Sequence, residues 1–239
     1  FDMLQVRPDF IHKPGLATGF GSFAFHPDFA KNGLFYTTHT EPPGTAKADF
    51  AYADSIDVTL QWVLTEWKTQ KPGAFPFTGA GRELFRVNMF SGIHGVQEIT
   101  FNTLAKKGDE DYGLLYIGIG DGGSAERGYP FLCNSAEKIW GTVIRTDPSG
   151  KNSSNGKYGI PSTNPFTSGN NPAILKEIFA YGFRNPHRIT WSKTGTIFVA
   201  NIGHHNIESL YIIQSGANSG WPIREGTFVI DPSQNMYNI

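Results

Sequence analysis

Gly182-Phe183-Arg184-Asn185-Pro186-His187-Arg188 is the run on which the reading of this chain turns. Pro186 fixes its own φ and biases Asn185 toward extended backbone, so the run is a turn feeding a strand. A purely structural role is open to both polar residues: Arg184 can pair with a backbone carbonyl, and Asn185 can close the turn. Residues 189–192 and 196–201 follow as two strands joined across Lys193-Thr194-Gly195, where the glycine supplies the positive φ of a tight hairpin.

Working outward, similar short apolar runs with turn residues between them predict strands over 20–26, 34–39, 60–65, 114–119, 140–145, 178–181 and 209–213. The composition agrees. With 28 Gly, 15 Pro, 14% aromatic and 17% charged residues, the chain is poor in helix formers and rich in turn and strand formers, which predicts an all-β fold. Sandwich, barrel and propeller all fit many short strands with Gly/Pro-rich turns. Leu115-Tyr116-Ile117-Gly118-Ile119-Gly120-Asp121-Gly122-Gly123, an aromatic strand running into a Gly-Asp loop, suits a propeller face, where backbone closely approaches a central ligand. Residues 41–57 and 148–172 read as long loops. The second is packed rather than free, because it carries Tyr158, Ile160 and Phe166. A single helical turn capped by Asn134 is expected over 134–138, and one domain spans residues 1–239.

A formal net charge of -1 without a Lys/Arg block excludes a nucleic-acid partner, since a phosphate backbone requires clustered cations. No stretch reaches the ~18 apolar residues of a membrane helix. A small-molecule or protein partner is expected. Cys133, the single cysteine, follows Phe131-Leu132 and reads as a small buried hydrophobe. The given residues open on Phe1-Asp2-Met3 and include no signal peptide.

Phe23-Ala24-Phe25-His26-Pro27-Asp28-Phe29, followed by Asn32-Gly33-Leu34-Phe35-Tyr36, is a strand, a turn and a strand in which His26 reads as structural. Further along come His94 with Ile99 and Phe101, and the 116–123 loop. Residues 141–147 then lead to Ile160-Pro161 and Asn164-Pro165-Phe166, and after these stand Tyr181 to Pro186, 203–208 and Asn218-Ser219-Gly220-Trp221-Pro222. In this order and combination, from about Gly19 to Trp221, the chain resembles the soluble quinoprotein glucose/sorbosone dehydrogenase family, to which hedgehog-interacting-protein-like propellers are related.

The resemblance implies a six-bladed β-propeller of which this chain covers only part of the blades, both ends lying beyond it. Another segment or an oligomeric partner would then complete the ring. It implies oxidation of a sugar or related alcohol or aldehyde, dependent on pyrroloquinoline quinone (PQQ) and assisted by calcium (Ca2+), in a periplasmic or extracellular location. His94 matches the family's general base, and Asp121 the carboxylate that orients it. Arg184 and Asn185 match the pair that binds the quinone's oxygens. The loop from Asn201 to Asn206 matches the calcium-bridging stretch, which makes Gly203 and His204 candidate metal and cofactor residues. His204 stands where relatives commonly carry Gln, and the adjacent His204 and His205 leave a transition metal as another reading.

Several positions depart from the family pattern. Ile93 replaces an acidic residue that contacts substrate, Gly95-Val96-Gln97-Glu98 adds bulk and an anion after the His, and Ala17 stands at the spacing of an expected Gln. Glucose itself is therefore disfavoured, while another polyol or aldehyde remains. Two alternatives stand beside the enzyme. One is a non-catalytic binding propeller of the hedgehog-interacting kind, with Trp62, Trp67 or Phe75 as contact residues and Arg184 plugged by Glu98 or His204. The other, by fold analogy, is a calcium-dependent lactone hydrolase, for which Asp121, Asp147 and Glu208 are the available carboxylates.

Overall fold

A computed structural model describes residues 1–13, 15–52 and 55–230. Its strands pair in sequence order. The first sheet runs β1 (Phe20–Phe25), β2 (Leu34–Glu41), β3 (Leu60–Thr69) and β4 (Gly79–Met89), and the second runs β5 (Glu98–Phe101), β6 (Leu115–Ile119), β7 (Thr142–Thr146) and β8 (Ile178–Tyr181). A third has β9 (Pro186–Trp191), β10 (Ile197–Asn201) and β11 (Ser209–Ile213), followed by a ribbon of β12 (Arg224–Glu225) and β13 (Phe228–Val229). Each sheet is an antiparallel meander, and the leading strands adjoin, β1 against β5 and β5 against β9. Meanders radiating from adjacent first strands are the blades of a β-propeller. The helices among the described residues are short: α1 (Met3–Val6), α2 (Phe29–Asn32) and a 3-10 turn at Pro130–Leu132.

The blades are held by apolar layers. Tyr36, Trp62 and Leu64 of the first blade share a buried cluster with Ile99, Phe101 and Ile117 of the second. Tyr116, Val143 and Phe179 of the second pack with Ile189, Val199 and Ile213 of the third. Each such side chain contributes about 1.5–3 kcal/mol of burial free energy. The two outer faces of this arc are apolar and open: Phe23 and Phe25 on one, Leu210 and Ile212 on the other, are exposed.

The predicted strands at 178–181 and 209–213 coincide with β8 and β11. β4 was not expected. Its Glu83 and Arg86 interrupt the apolar pattern, yet Arg86 is buried because its guanidinium lies 2.7 Å from Glu41 and 2.9 Å from Glu83. His39 in turn contacts Glu41 at 2.9 Å. The 134–138 turn is not helical: Asn134 takes φ 55° and its side chain accepts from Asn218. Residues 148–172 form a loop packed on the sheet edges, with Tyr158 buried and donating to Glu177 at 2.9 Å. The 41–57 loop is likewise irregular beyond β2, residues 53 and 54 of it lying outside the described residues. His26 has the structural role expected, its Nδ1 accepting the Asp28 N–H at 2.9 Å, and Cys133 is buried beside Ser124.

Candidate active site

In an antiparallel meander, the entry to the first strand and the exit from the second lie at the same end of the blade. His94 stands before β5, Asp121 after β6, Arg184 and Asn185 at the entry to β9, and Gly203 and His204 after β10. Topology therefore brings all six to one face.

His94 adopts φ 53°, left-handed backbone that an L residue holds only when its surroundings impose it. They do so here. Its carbonyl accepts the Gly122 N–H at 3.1 Å, and Gly120 donates to Gly95 at 2.9 Å. A Cβ on Gly120 would lie 2.3 Å from the His94 carbonyl oxygen, so this close approach requires glycine.

Asp121 is fully buried. Its Oδ1 accepts from His94 Nδ1 at 2.7 Å and from the Gly123 N–H at 2.8 Å, and its Oδ2 accepts from Trp221 Nε1 at 2.9 Å. Burial alone would raise its carboxyl, but the His94 imidazole, Arg184 and the Gly123 amide together hold it below the ordinary value. An ionised carboxylate only accepts, so His94 Nδ1 carries the shared proton, and in the neutral imidazole the lone pair is that of Nε2.

That imidazole lines a cavity of about 360 Å³ together with Gln97, Asn185, His187, Ala17 and Ile93. Asn185 donates to Gln97 at 3.3 Å. Two buried polar atoms on this wall, Asn185 Oδ1 and His187 Nδ1, have no protein partner among the described residues. Orphaned polar atoms in a cavity are places for ligand groups. A larger cleft of about 480 Å³ beside residues 147–163 contains no His–carboxylate pair.

Arg184 is not on the cavity wall. Its guanidinium pairs with Glu126, donates to the Gly203 carbonyl at 2.6 Å and stacks 5.7 Å over Trp221. Asn201 fixes the turn beneath it, its Oδ1 accepting both the Arg184 and Asn185 N–H groups at 3.1 and 2.9 Å. His204 Nε2 lies 3.6 Å from the same Glu126 carboxylate. Desolvation, with the charges of His205 and Arg184, lowers the His204 pKa.

The loop after β10 turns its N–H groups inward. His204, His205, Asn206 and Ile207 all donate to Oε1 of Glu225, and Gly203 donates to Glu208 at 3.0 Å. Successive amides around one oxygen make a nest for anions. The Gly203 carbonyl, matched to a calcium ligand, faces Arg184 instead. As folded, Gly203 and His204 do not fit a hard cation, and no group of three or more His, Cys, Asp or Glu side chains among the described residues is placed to hold a metal. Asp147 is engaged by Ser149 at 2.6 Å and Asp121 by His94, so the carboxylates of a metal-dependent hydrolase do not converge.

Glu98 does not line the cavity. It accepts the Ile189 N–H at 3.2 Å between β5 and β9, and burial raises its pKa despite that bond and Arg188. Ile93 does line the cavity. The residues to which sequence reasoning gave no site role are Glu126, Glu225, and, although they stand in quoted motifs, Trp221 and His187. Glu126 had one signal: with Arg127 it forms the first charged pair in the otherwise small and polar stretch after Asp121.

Blades bearing a buried His–Asp pair at the mouths of their inner strands, beside a cavity of mixed polar and apolar lining, define a propeller with its candidate site on one face. The chain belongs to the Glucose / Sorbosone dehydrogenase family, whose model matches residues 9–229. HIPL2 protein of Arabidopsis thaliana is 28% identical over 94% of this chain and 36% of its own length. Quinoprotein glucose dehydrogenase B of Acinetobacter calcoaceticus is 24% identical over 90% of this chain and 42% of its own. The PQQ-bound form of aldose sugar dehydrogenase from Streptomyces coelicolor superposes with a TM-score of 0.61 at 23% identity, covering 92% of this chain and 52% of that one. The chain thus spans about half the length of that structure and less of the two proteins.

Proposed function

We propose that this chain forms part of a dehydrogenase that oxidises a sugar or a related alcohol or aldehyde, with His94 Nε2 as general base and PQQ as the electron acceptor. The observation that carries this is the Asp121–His94 pair at 2.7 Å, with His94 lining a cavity beside Gln97, Asn185 and His187. When bound, PQQ supplies a quinone that accepts a hydride. The protein's own part is positional. Asp121 keeps the proton on Nδ1, so Nε2 is free to take a hydroxyl proton from the substrate. Gln97 and Asn185 offer the amide groups that orient a polyol, and Ile93 supplies an apolar wall in place of a carboxylate. Asn185 Oδ1, an acceptor, fits a ligand hydroxyl, and His187 Nδ1 fits a hydroxyl or, when it carries a proton, a quinone oxygen, whereas Arg184 is already neutralised by Glu126. No step is routed through calcium, because Gly203 and His204 do not fit it.

We also infer a periplasmic or extracellular location and further blades, on another segment or a partner chain, over the apolar end faces at Phe23 and Leu210. No helix among the described residues is long and apolar enough to cross a membrane. The decisive experiment is titration with PQQ, followed by dye reduction across a panel of aldoses and polyols. Absence of PQQ binding sinks the enzyme reading. A second reading, a non-catalytic binding propeller, is favoured by one observation: the guanidinium matched to cofactor binding is plugged from within the chain by Glu126.

A further inference from the structure

We infer that Glu126 is a built-in counter-ion: it holds the anion-binding position at Arg184 and gives way only to a ligand that brings its own carboxylate. The inference rests on the reading that the cofactor is a carboxylated quinone, and it specifies how that ligand is selected.

The Arg184 side chain is 8% exposed, as is that of Glu126. A buried guanidinium without a counter-charge is costly, so a carboxylate is required there whether or not a ligand is bound. The remaining contacts of Arg184 are a carbonyl and the Trp221 ring, neither of which carries charge. Its Nε is buried without a partner among the described residues. One donor of the fork is therefore unused while Glu126 is in place. A ligand carboxylate that reached both faces of the fork would satisfy more donors than Glu126 does.

Glu126 is placed to leave. The backbone bonds of its loop run from Ser124 to Asp121, Arg127 to Gly123 and Gly128 to Ala125, and Arg127 anchors the loop to the Phe90 carbonyl. None of these involves the Glu126 side chain. Swinging the carboxylate out thus leaves the loop's backbone intact, and His204, 3.6 Å away, is its second polar neighbour. A neutral sugar offers only hydroxyls and brings no counter-charge to the buried guanidinium. A ligand carboxylate arriving with Glu126 still in place meets like-charge repulsion in a desolvated site. Occupancy of Arg184 is therefore selective for carboxylate-bearing ligands.

The test is calorimetric titration of the protein and its Glu126→Gln variant with three probes: PQQ, benzene-1,2,4-tricarboxylate, and 1,10-phenanthroline-5,6-dione as a quinone without carboxylates. The variant is expected to bind the first two about tenfold tighter, a gain equivalent to about 1.4 kcal/mol, and the third no differently. The gain is expected to vanish in Glu126→Gln/Arg184→Gln. Should Glu126→Gln fold poorly, Glu126→Asp, which keeps the charge but withdraws it by one methylene, is expected to show a smaller gain in the same direction. Equal or weaker carboxylate binding by the variants overturns the inference, as does carboxylate binding by neither protein. A tricarboxylate gain without PQQ-dependent dye reduction leaves the inference standing and removes the dehydrogenase reading. Dye reduction with no difference between the proteins does the reverse.

Discussion

The backbone N–H of Asp121 donates to the carbonyl of Arg184 at 2.8 Å, so the acid–base half of the site and the anion-binding half are tied together through main chain. The side chains then diverge. Asp121 reaches His94 and Trp221, while Arg184 reaches Glu126 and Gly203. Trp221 touches both halves, donating to one and stacking under the other.

Replacing His94 with Gln removes the proposed base while keeping a polar side chain of similar reach. The rate of dye reduction is expected to fall about 10²–10⁴-fold, the usual contribution of general base catalysis, with PQQ affinity unchanged by titration. Undiminished turnover would take His94 out of the chemistry.

Asp121→Asn keeps the shape but offers Nδ1 a group that no longer enforces one tautomer. Turnover is expected to fall by at least about tenfold with little change in KM, since Asp121 touches His94 and not the cavity. A rise in KM at constant turnover would assign Asp121 to binding instead.

Gly120→Ala places a Cβ 2.3 Å from the His94 carbonyl oxygen and 2.8 Å from the His94 Cβ. Backbone must move, so the variant is expected to lose about 1–3 kcal/mol in urea unfolding, together with most of its activity. Wild-type stability in this variant would mean that the approach of β6 to His94 is slack.

In the first blade, Glu41 is held at a pKa of about 2: burial opposes ionisation, but the bonds from His39 and Arg86 outweigh it. Its folded value lies below the ordinary 4.5, so the stability it contributes is complete above 4.5 and is lost as pH falls toward about 2. Arg86→Gln leaves Glu41 and Glu83 without their cation and is expected to cost about 3–5 kcal/mol at neutral pH. The gap between variant and wild type in denaturant melts is expected to narrow below pH 4.5. A gap independent of pH across that window would contradict the network.

Much of the fold was legible because burial in a blade leaves a local mark. Runs such as Ile178–Tyr181 and Ser209–Ile213 carry their strand signal in adjacent residues, and each ends at turn formers. β4 escaped because Arg86 and Glu83 look like surface charges until Glu41, on a strand two places away in the same sheet, is brought beside them. The candidate residues His94, Asp121, Arg184 and Asn185 came from motif order.

By itself, the sequence determined that the chain is a strand-and-turn protein of the glucose/sorbosone dehydrogenase kind, because strand propensity, turn chemistry and motif order are properties of neighbouring residues. Tertiary structure alone decided the partners. The run from Gly182 to Arg188 announces an Arg–Asn pair, but only folding places Asn185 on the cavity wall and Arg184 against Glu126, a residue 58 positions away. A carboxylate in a glycine-rich loop carries no local sign of what it will neutralise. Charge pairing acts through space, and the space is set by how the blades stack.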